Sequence, residues 1–292
     1  MTICRALVLI ATVVSAACGS EGGSPTTPTT PSSPTPGGTA VRYTALGASD
    51  ANGVGGSVPC VPFTACESGT GYVPNLARLL RASREVTLVN LGIPAAVLSP
   101  SIYDIGRRYG RDIPANFIDR ELPFVPSEST LITVLGGPND VNALGDAVTQ
   151  GAGGSDVRGY LDTQIRAFGS DYDRLVQGLR SRAPNAFIIL INVPNMAALP
   201  YSAGYALPRR QGLQYISTGF TREINRQAGS RIVVADVMCD PQSYAASGFS
   251  SDGFHPNDSG YTYLAQRLLA IVNNGASSAA SSCSQMTVVP AL

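Results

Sequence analysis

No lysine occurs in this 292-residue chain; all twenty basic residues are arginine. That rules out Ser–Lys dyads, Schiff-base chemistry and the P-loop lysine together. Tryptophan is missing too, which argues against a stacking platform for sugar rings. Charged side chains make up only 14% of the residues, and acids and bases balance at 20 each, so there is no basic stripe for nucleic acid. Histidine occurs once, at His255. A neutral imidazole is the usual general base near neutral pH, so any serine–histidine chemistry here has a single base to draw on.

The N-terminal stretch reads as a targeting segment. Arg5 supplies a weakly positive start, residues 6–14 an apolar run, and Ser15-Ala16-Ala17 a small-residue cleavage region. The run is too short for a bilayer span, which takes about 20 apolar residues. Cys18 follows, then a Gly/Pro/Thr/Ser tract to Gly38 that buries too little apolar surface to order itself. This order resembles a bacterial lipoprotein signal, in which the cysteine is acylated and the tract acts as a tether. Ser15 departs from the usual leucine at the start of such a signal, and a plain secretory signal cleaved near Ala17 is the alternative. The expected organisation is signal 1–17, lipidated Cys18 with linker 18–38, and one domain at 39–292. The destination is the cell envelope, with the lipid as the only membrane attachment, or secretion as a soluble protein.

Four further cysteines, Cys60, Cys66, Cys239 and Cys283, form an even set in an exported chain and favour disulfides, with three connectivities open. Cys60 and Cys66 bracket a short loop and are expected to pair locally. Cys239 would then join Cys283. Loop-closure entropy makes these worth about 2.4 and about 4 kcal/mol. A zinc site fails on spacing and on the histidine count, so no metal and no cofactor is expected.

Five β-rich runs, at 41–48, 86–91, 129–135, 186–193 and 231–237, include nearly continuous apolar stretches such as Phe187-Ile-Ile-Leu-Ile191. Runs of that kind fit parallel strands covered on both faces. Helical spacing of apolar residues marks 72–82, 157–183, 213–228 and 259–273, the last with Asp258 or Ser259 as cap. Strand–helix alternation implies a three-layer α/β/α sandwich with a five-stranded parallel sheet, in which ligands bind beyond the strands' carboxyl ends. Ser49 follows the first run, Gly92 the second and Gly137-Pro-Asn139-Asp140 the third. Asp252 and His255 follow the fifth run and precede the last helix.

These four blocks, in this order from residue 41 to about 273, resemble the SGNH hydrolases, also called GDSL esterases/lipases. The resemblance implies the flavodoxin-like fold of that family, with Ser49 as nucleophile, His255 as base and Asp252 as its orienting carboxylate. It also implies an oxyanion hole made by the Ser49 and Gly92 backbone N–H groups and the Asn139 side chain. The chemistry asks for the same parts: a hydroxyl needs a base within hydrogen-bond reach, and the developing oxyanion needs preorganised donors. Pro256 biases His255 towards an extended conformation from which the loop can turn back. The chain departs from the family at Ala48, where the eponymous aspartate stands, and at Ala95, where a second glycine is common. The rival α/β-hydrolase elbow, G-x-S-x-G deep in the chain, does not fit Ser49 after the first strand.

The expected activity is hydrolysis of carboxylic esters of short to medium acyl chains by a monomer, on small-molecule, lipid or polysaccharide substrates. A carbohydrate O-acetylesterase and a non-catalytic tethered binding protein are the alternatives, and acyl transfer shares the same acyl-enzyme. Apolar and aromatic residues at 97–127 (Ile102, Tyr103, Tyr109, Phe117, Leu122, Phe124, Val125) and at 195–207 (Met196, Leu199, Tyr201, Tyr205) are candidates for lining the substrate pocket.

Overall fold

A computed structural model describes residues 40–292. The signal at 1–17, Cys18 and the linker at 18–38 lie outside the described residues. Five strands, β1 (Ala40–Gly47), β2 (Glu85–Asn90), β3 (Leu131–Leu135), β4 (Phe187–Ile191) and β5 (Ile232–Ala235), form one parallel sheet in the order β2-β1-β3-β4-β5. This is the doubly wound 2-1-3-4-5 order, whose switch point lies between β1 and β3.

Alternate residues of each strand feed two separate cores. Tyr43, Ala45, Leu131, Phe187, Ile189 and Val233 pack against α1 (Tyr72–Arg81) and α7 (Asp258–Asn274). On the opposite face, Leu46, Ile132, Val134, Ile188, Leu190 and Val234 pack against α4 (Pro138–Thr149), α5 (Val157–Arg182) and α6 (Leu207–Asn225). Two further helices, α2 (Pro100–Arg108) and α3 (Phe117–Arg120), flank that second layer. Both faces of the sheet are therefore covered, which is why β4 and β5 are apolar at every position, β3 at all but Thr133, and all three are buried throughout. The three-layer sandwich expected from strand–helix alternation is the observed fold.

The helices differ from the expected ones in instructive ways. Gly137-Pro138-Asn139-Asp140 suits a turn, yet it starts α4. Gly137 adopts φ 119°, and Pro138 occupies the first helical position, where a missing N–H costs nothing. Helix α6 begins six residues before the expected start of its apolar stripe because Pro208 nucleates it, although Arg209, Arg210 and Gln211 hide the periodicity. The cap of α7 is Asn257, whose side chain accepts from Ser259 N and Gly260 N, rather than Asp258 or Ser259. Asp258 instead binds the backbone N–H and hydroxyl of Ser57.

Two disulfides close loops outside the strands. Cys60 bonds Cys66 with Cα atoms 5.5 Å apart, and Cys239, just beyond β5, bonds Cys283 in the tail at 5.6 Å. Among the described residues no helix is long and apolar enough to cross a membrane.

Candidate active site

Ser49, Gly92 and Asn139 sit just after β1, β2 and β3, and Asp252 and His255 lie in the long connection between β5 and α7. Ser49 lies in a tight turn after β1, held by Ala51 N to Ala48 O, Asn52 N to Ser49 O and Gly53 N to Asp50 O, each at 3.1 Å. Its N–H has no acceptor among the described residues. Gly92 follows β2 so closely packed against this turn that a Cβ would come within 2.7 Å of the Ala51 Cβ. A side chain there would push the two loops apart, which is why glycine is required. The neighbouring Ala95 adopts φ 63°, the left-handed region that glycine enters at no cost. The family's second glycine therefore has a backbone reason that alanine meets under strain.

The Asp252–His255 segment folds back on itself. Gly253 adopts φ 67°, and a Cβ on it would strike Tyr201 N at 2.7 Å. Asp252 Oδ1 accepts from Phe254 N at 2.8 Å, His255 N at 2.9 Å and the Ser250 hydroxyl at 2.8 Å. One carboxylate oxygen thus builds the turn and leaves Oδ2 for the imidazole. The loop is closed by Ser250 N to His255 O at 2.9 Å and tied down by the Asn257 side chain, which donates to Ser247 O and Phe249 O.

The result is a continuous chain of contacts. His255 Nδ1 lies 2.6 Å from Asp252 Oδ2, and His255 Nε2 lies 2.8 Å from Ser49 Oγ. Burial pushes the Asp252 carboxyl up, but the His255 ring contact, the His255 and Phe254 N–H groups and the Ser250 hydroxyl outweigh it and hold it at about 2. It is a carboxylate at any ordinary pH. An edge-to-face aromatic series, Tyr205, Tyr201, Phe254 and His255, packs the imidazole from its open side, with successive centroids 5.6, 5.3 and 4.7 Å apart. A hydroxyl, an imidazole and a carboxylate in this geometry can move a proton off the hydroxyl and stabilise the imidazolium that forms.

The three expected oxyanion donors are not equivalent. Asn139, in the first turn of α4, donates one amide hydrogen to Ala96 O at 2.9 Å, and an amide nitrogen carries a second. Gly92 N–H is committed to the Asn90 side-chain oxygen at 3.1 Å. The structure thus brings Ser49 and Asn139 to the cleft with donors to spare, whereas Gly92 sits beneath them with its donor engaged.

Three buried carboxyls that sequence reading passed over support these loops. Glu121, fully buried, accepts from Gly47 N at 2.9 Å. Burial drives it well above the usual carboxylate range against the Gly47 and Ile93 N–H groups, beneath the Ser49 turn. Asp140 accepts from Leu98 N and Ser99 N and clasps the segment that follows Gly92; burial raises it to about 7 against those donors. Asp50, beside Ser49, is also raised by burial. Local sequence does not mark these carboxyls; only packing shows that they end up buried.

Ser49 and His255 open onto a cleft of about 450 Å³, a size suited to a small organic group. Tyr201 and Tyr205 line it, as the 195–207 loop suggested. The apolar residues of 97–127 do not line it: Ile102, Phe117 and Val125 are core residues buried against the helices, and Phe124 faces outwards. Instead that region contributes a residue not singled out, Arg111, with Arg209 and Asn142 completing a more polar wall than expected. A second cavity of about 100 Å³ lies behind Phe254, bounded by Asp50, Met196, Leu199 and Phe249. It is more apolar, and neither Ser49 nor His255 lines it.

With this fold and site in view, comparison places the chain in a class of ester hydrolases. The profile of the GDSL-like lipase/acylhydrolase family matches residues 45–263, and the chain belongs to that family. The described fold is shared with solved structures of low sequence identity. The lipase Lip_vut3 from a goat rumen metagenome aligns over 80% of this chain and 98% of its own, at 19% identity and a TM-score of 0.55. An extracellular lipase from Streptomyces rimosus aligns over 81% and 100%, at 17% identity and 0.55. The acetylxylan esterase Axe2 from Geobacillus stearothermophilus aligns over 80% and 94%, at 17% identity and 0.50. Among curated protein sequences there is no match.

Proposed function

We propose that this chain is an exported serine esterase that cleaves carboxylic esters of short to medium acyl chains through an acyl-enzyme on Ser49. The observation that carries the reading is the unbroken Ser49 Oγ–His255–Asp252 chain at 2.8 and 2.6 Å, built on the only histidine in the sequence. In this reading His255 Nε2 takes the Ser49 proton as Oγ attacks the acyl carbonyl. The carbonyl's π pair moves onto its oxygen, where the Ser49 N–H and the spare Asn139 amide hydrogen receive it. Asp252 Oδ2 stabilises the imidazolium. The tetrahedral intermediate collapses as the C–O bond to the alcohol breaks and His255 returns the proton to the leaving oxygen. Water then repeats the sequence on the acyl-enzyme and regenerates Ser49. Gly92 N–H joins the oxyanion site only by giving up or sharing Asn90.

The modest cleft and its apolar part, Val54, Pro94, Ala95 and Phe254, favour short to medium acyl groups. The polar wall formed by Asn142, Arg111 and Arg209 favours a second reading, removal of acetyl groups from a carbohydrate. Hydrolysis of a chromogenic ester series of rising chain length, set against acetylated xylan, separates the two. The decisive experiment is labelling with a fluorophosphonate: wild type should be modified on Ser49, while Ser49→Ala should be neither labelled nor active, with unchanged circular dichroism. Retained turnover in Ser49→Ala would sink the Ser49 assignment, whereas a wild type that neither labels nor hydrolyses any ester would leave only a tethered binding protein. Acylation of Cys18 and release of residues 1–17 belong to the same proposal. Mass spectrometry of the mature N-terminus should find a diacylglyceryl-modified Cys18, and an unmodified one would make the protein a soluble secreted esterase.

A further inference from the structure

Ester hydrolysis by Ser49 makes no use of the two guanidinium groups on the cleft wall. Arg111 follows α2, and Arg209 sits in the first turn of α6. A cation is poorly placed at a helix N-terminus, where the backbone dipole is positive, so Arg209 calls for another reason. Both arginines share one carboxylate: Arg111 Nη1 binds Asp146 Oδ2, and Arg209 Nη2 binds Asp146 Oδ1 at 2.8 Å. Each carboxylate oxygen is thereby taken, and the cluster keeps one positive charge in excess. No carboxylate lines the cleft itself; Asp252 lies on the far side of the imidazole.

The donors are also held ready. The Arg209 guanidinium lies over the Tyr205 ring at 3.9 Å, which fixes its plane. Its Nε is buried with no acceptor among the described residues. The Arg111 guanidinium makes no protein hydrogen bond beyond the one to Asp146 among the described residues. Both side chains are 32% exposed, so they are open to a ligand. Paired, planar guanidiniums with spare N–H groups match the oxygens of a carboxylate or phosphate better than any neutral group.

We propose that Arg111 and Arg209 form a subsite for an anionic group, carboxylate or phosphate, carried by the substrate, so that the preferred substrates of the Ser49 site are anionic esters. This rests on the reading of Ser49 as the nucleophile and extends it to substrate class. A purely structural ion cluster tying α4 to α6 would instead change stability without changing discrimination.

The test compares kcat/KM within matched pairs. 4-Nitrophenyl hemisuccinate against 4-nitrophenyl butyrate puts the charge on the acyl side. The butyrate esters of 4-hydroxybenzoate and 4-hydroxybenzamide put it on the alcohol side. Detergent micelles carrying phosphatidylglycerol or diacylglycerol supply a lipid phosphate. Wild type should prefer the anionic member of at least one pair by tenfold or more at low salt, and the preference should shrink with ionic strength. A preference confined to the micelles identifies a lipid headgroup as the source of the anion, and one in the soluble pairs identifies a small anionic ester. Arg111→Gln and Arg209→Gln should each lower the anionic-to-neutral ratio at least tenfold, whereas Asp146→Asn, which releases both guanidiniums, should raise it. If one arginine variant fails to fold, the other, Asp146→Asn and the wild-type salt series still decide. Equal or neutral-favouring rates in all three pairs, with Ser49 labelled by fluorophosphonate and neutral esters turned over, overturn the subsite and leave the esterase standing. An enzyme that neither labels nor hydrolyses any member removes the underlying reading and the subsite with it.

Discussion

Asp252→Asn probes the site at its most informative atom, because the two carboxylate oxygens have different tasks. Oδ1 accepts from three donors, Phe254 N, His255 N and the Ser250 hydroxyl, while Oδ2 faces His255 Nδ1. An asparagine can keep its oxygen at only one of these places. If its NH2 group replaced Oδ1, it would confront three donors with a fourth, leaving two backbone N–H groups and a hydroxyl without their partner. The amide should therefore keep its oxygen in the turn and turn its NH2 group towards the imidazole. Nδ1 must then act as acceptor, the ring proton moves to Nε2, and that nitrogen points a hydrogen at Ser49 Oγ instead of a lone pair. The imidazole can no longer accept the serine proton, and the positive charge it would acquire has lost its counter-ion. We expect kcat for 4-nitrophenyl butyrate to fall by about 10³–10⁴, the scale of the equivalent change in the serine-protease triad. Circular dichroism should be unchanged because the Oδ1 turn survives, and fluorophosphonate labelling should slow in parallel. In wild type, Asp252 is held at about 2, so it cannot produce an acid limb in the kcat/KM profile. That limb must coincide with titration of the single imidazole NMR signal. A folded Asp252→Asn protein within tenfold of wild type, or an acid limb that does not track that signal, refutes the pairing of Asp252 with His255.

Two further outcomes follow from the loops around the site. Asn139→Ala removes the only side-chain amide among the proposed oxyanion donors and should lower kcat by roughly 10²–10³-fold with little change in KM; a change confined to KM would assign Asn139 to substrate positioning. Asp140, fully buried and raised to about 7, favours the folded state most strongly when protonated. Its contribution is fully present below the unfolded carboxyl range near about 4 and is lost as pH rises through about 7. Urea denaturation at pH 5 and pH 8 should therefore show wild type losing stability relative to Asp140→Asn, on the order of a few kcal/mol, and parallel pH profiles would contradict this.

Much of the fold was legible in the amino-acid order. The sheet strands announced themselves because burial on both faces demands continuous apolar runs, and Phe187-Ile-Ile-Leu-Ile191 can do little else. The long stripe of α5 and the spacing of α7 were equally plain. The short helices α2, α3 and α4 were not, because their signals are local. A Gly-Pro-Asn-Asp sequence serves a turn or a helix start, and only the packing of Val141 and Leu144 into the core chooses the helix.

The site divides along the same line. His255 could be singled out from composition because no other histidine competes with it, and Ser49, Asn139 and Asp252 because each follows a strand in a parallel sheet whose carboxyl ends converge. Pro256 already biased His255 towards an extended backbone. Tertiary structure alone decided the rest. Glu121 beneath Gly47, 74 positions away, and the two arginines that share Asp146, from 35 and 63 positions away, meet only in the folded chain. Hydrogen bonds and charge pairs of that reach depend on how three layers are stacked. A side chain carries no mark in sequence of which neighbour it will meet once water has been excluded between them.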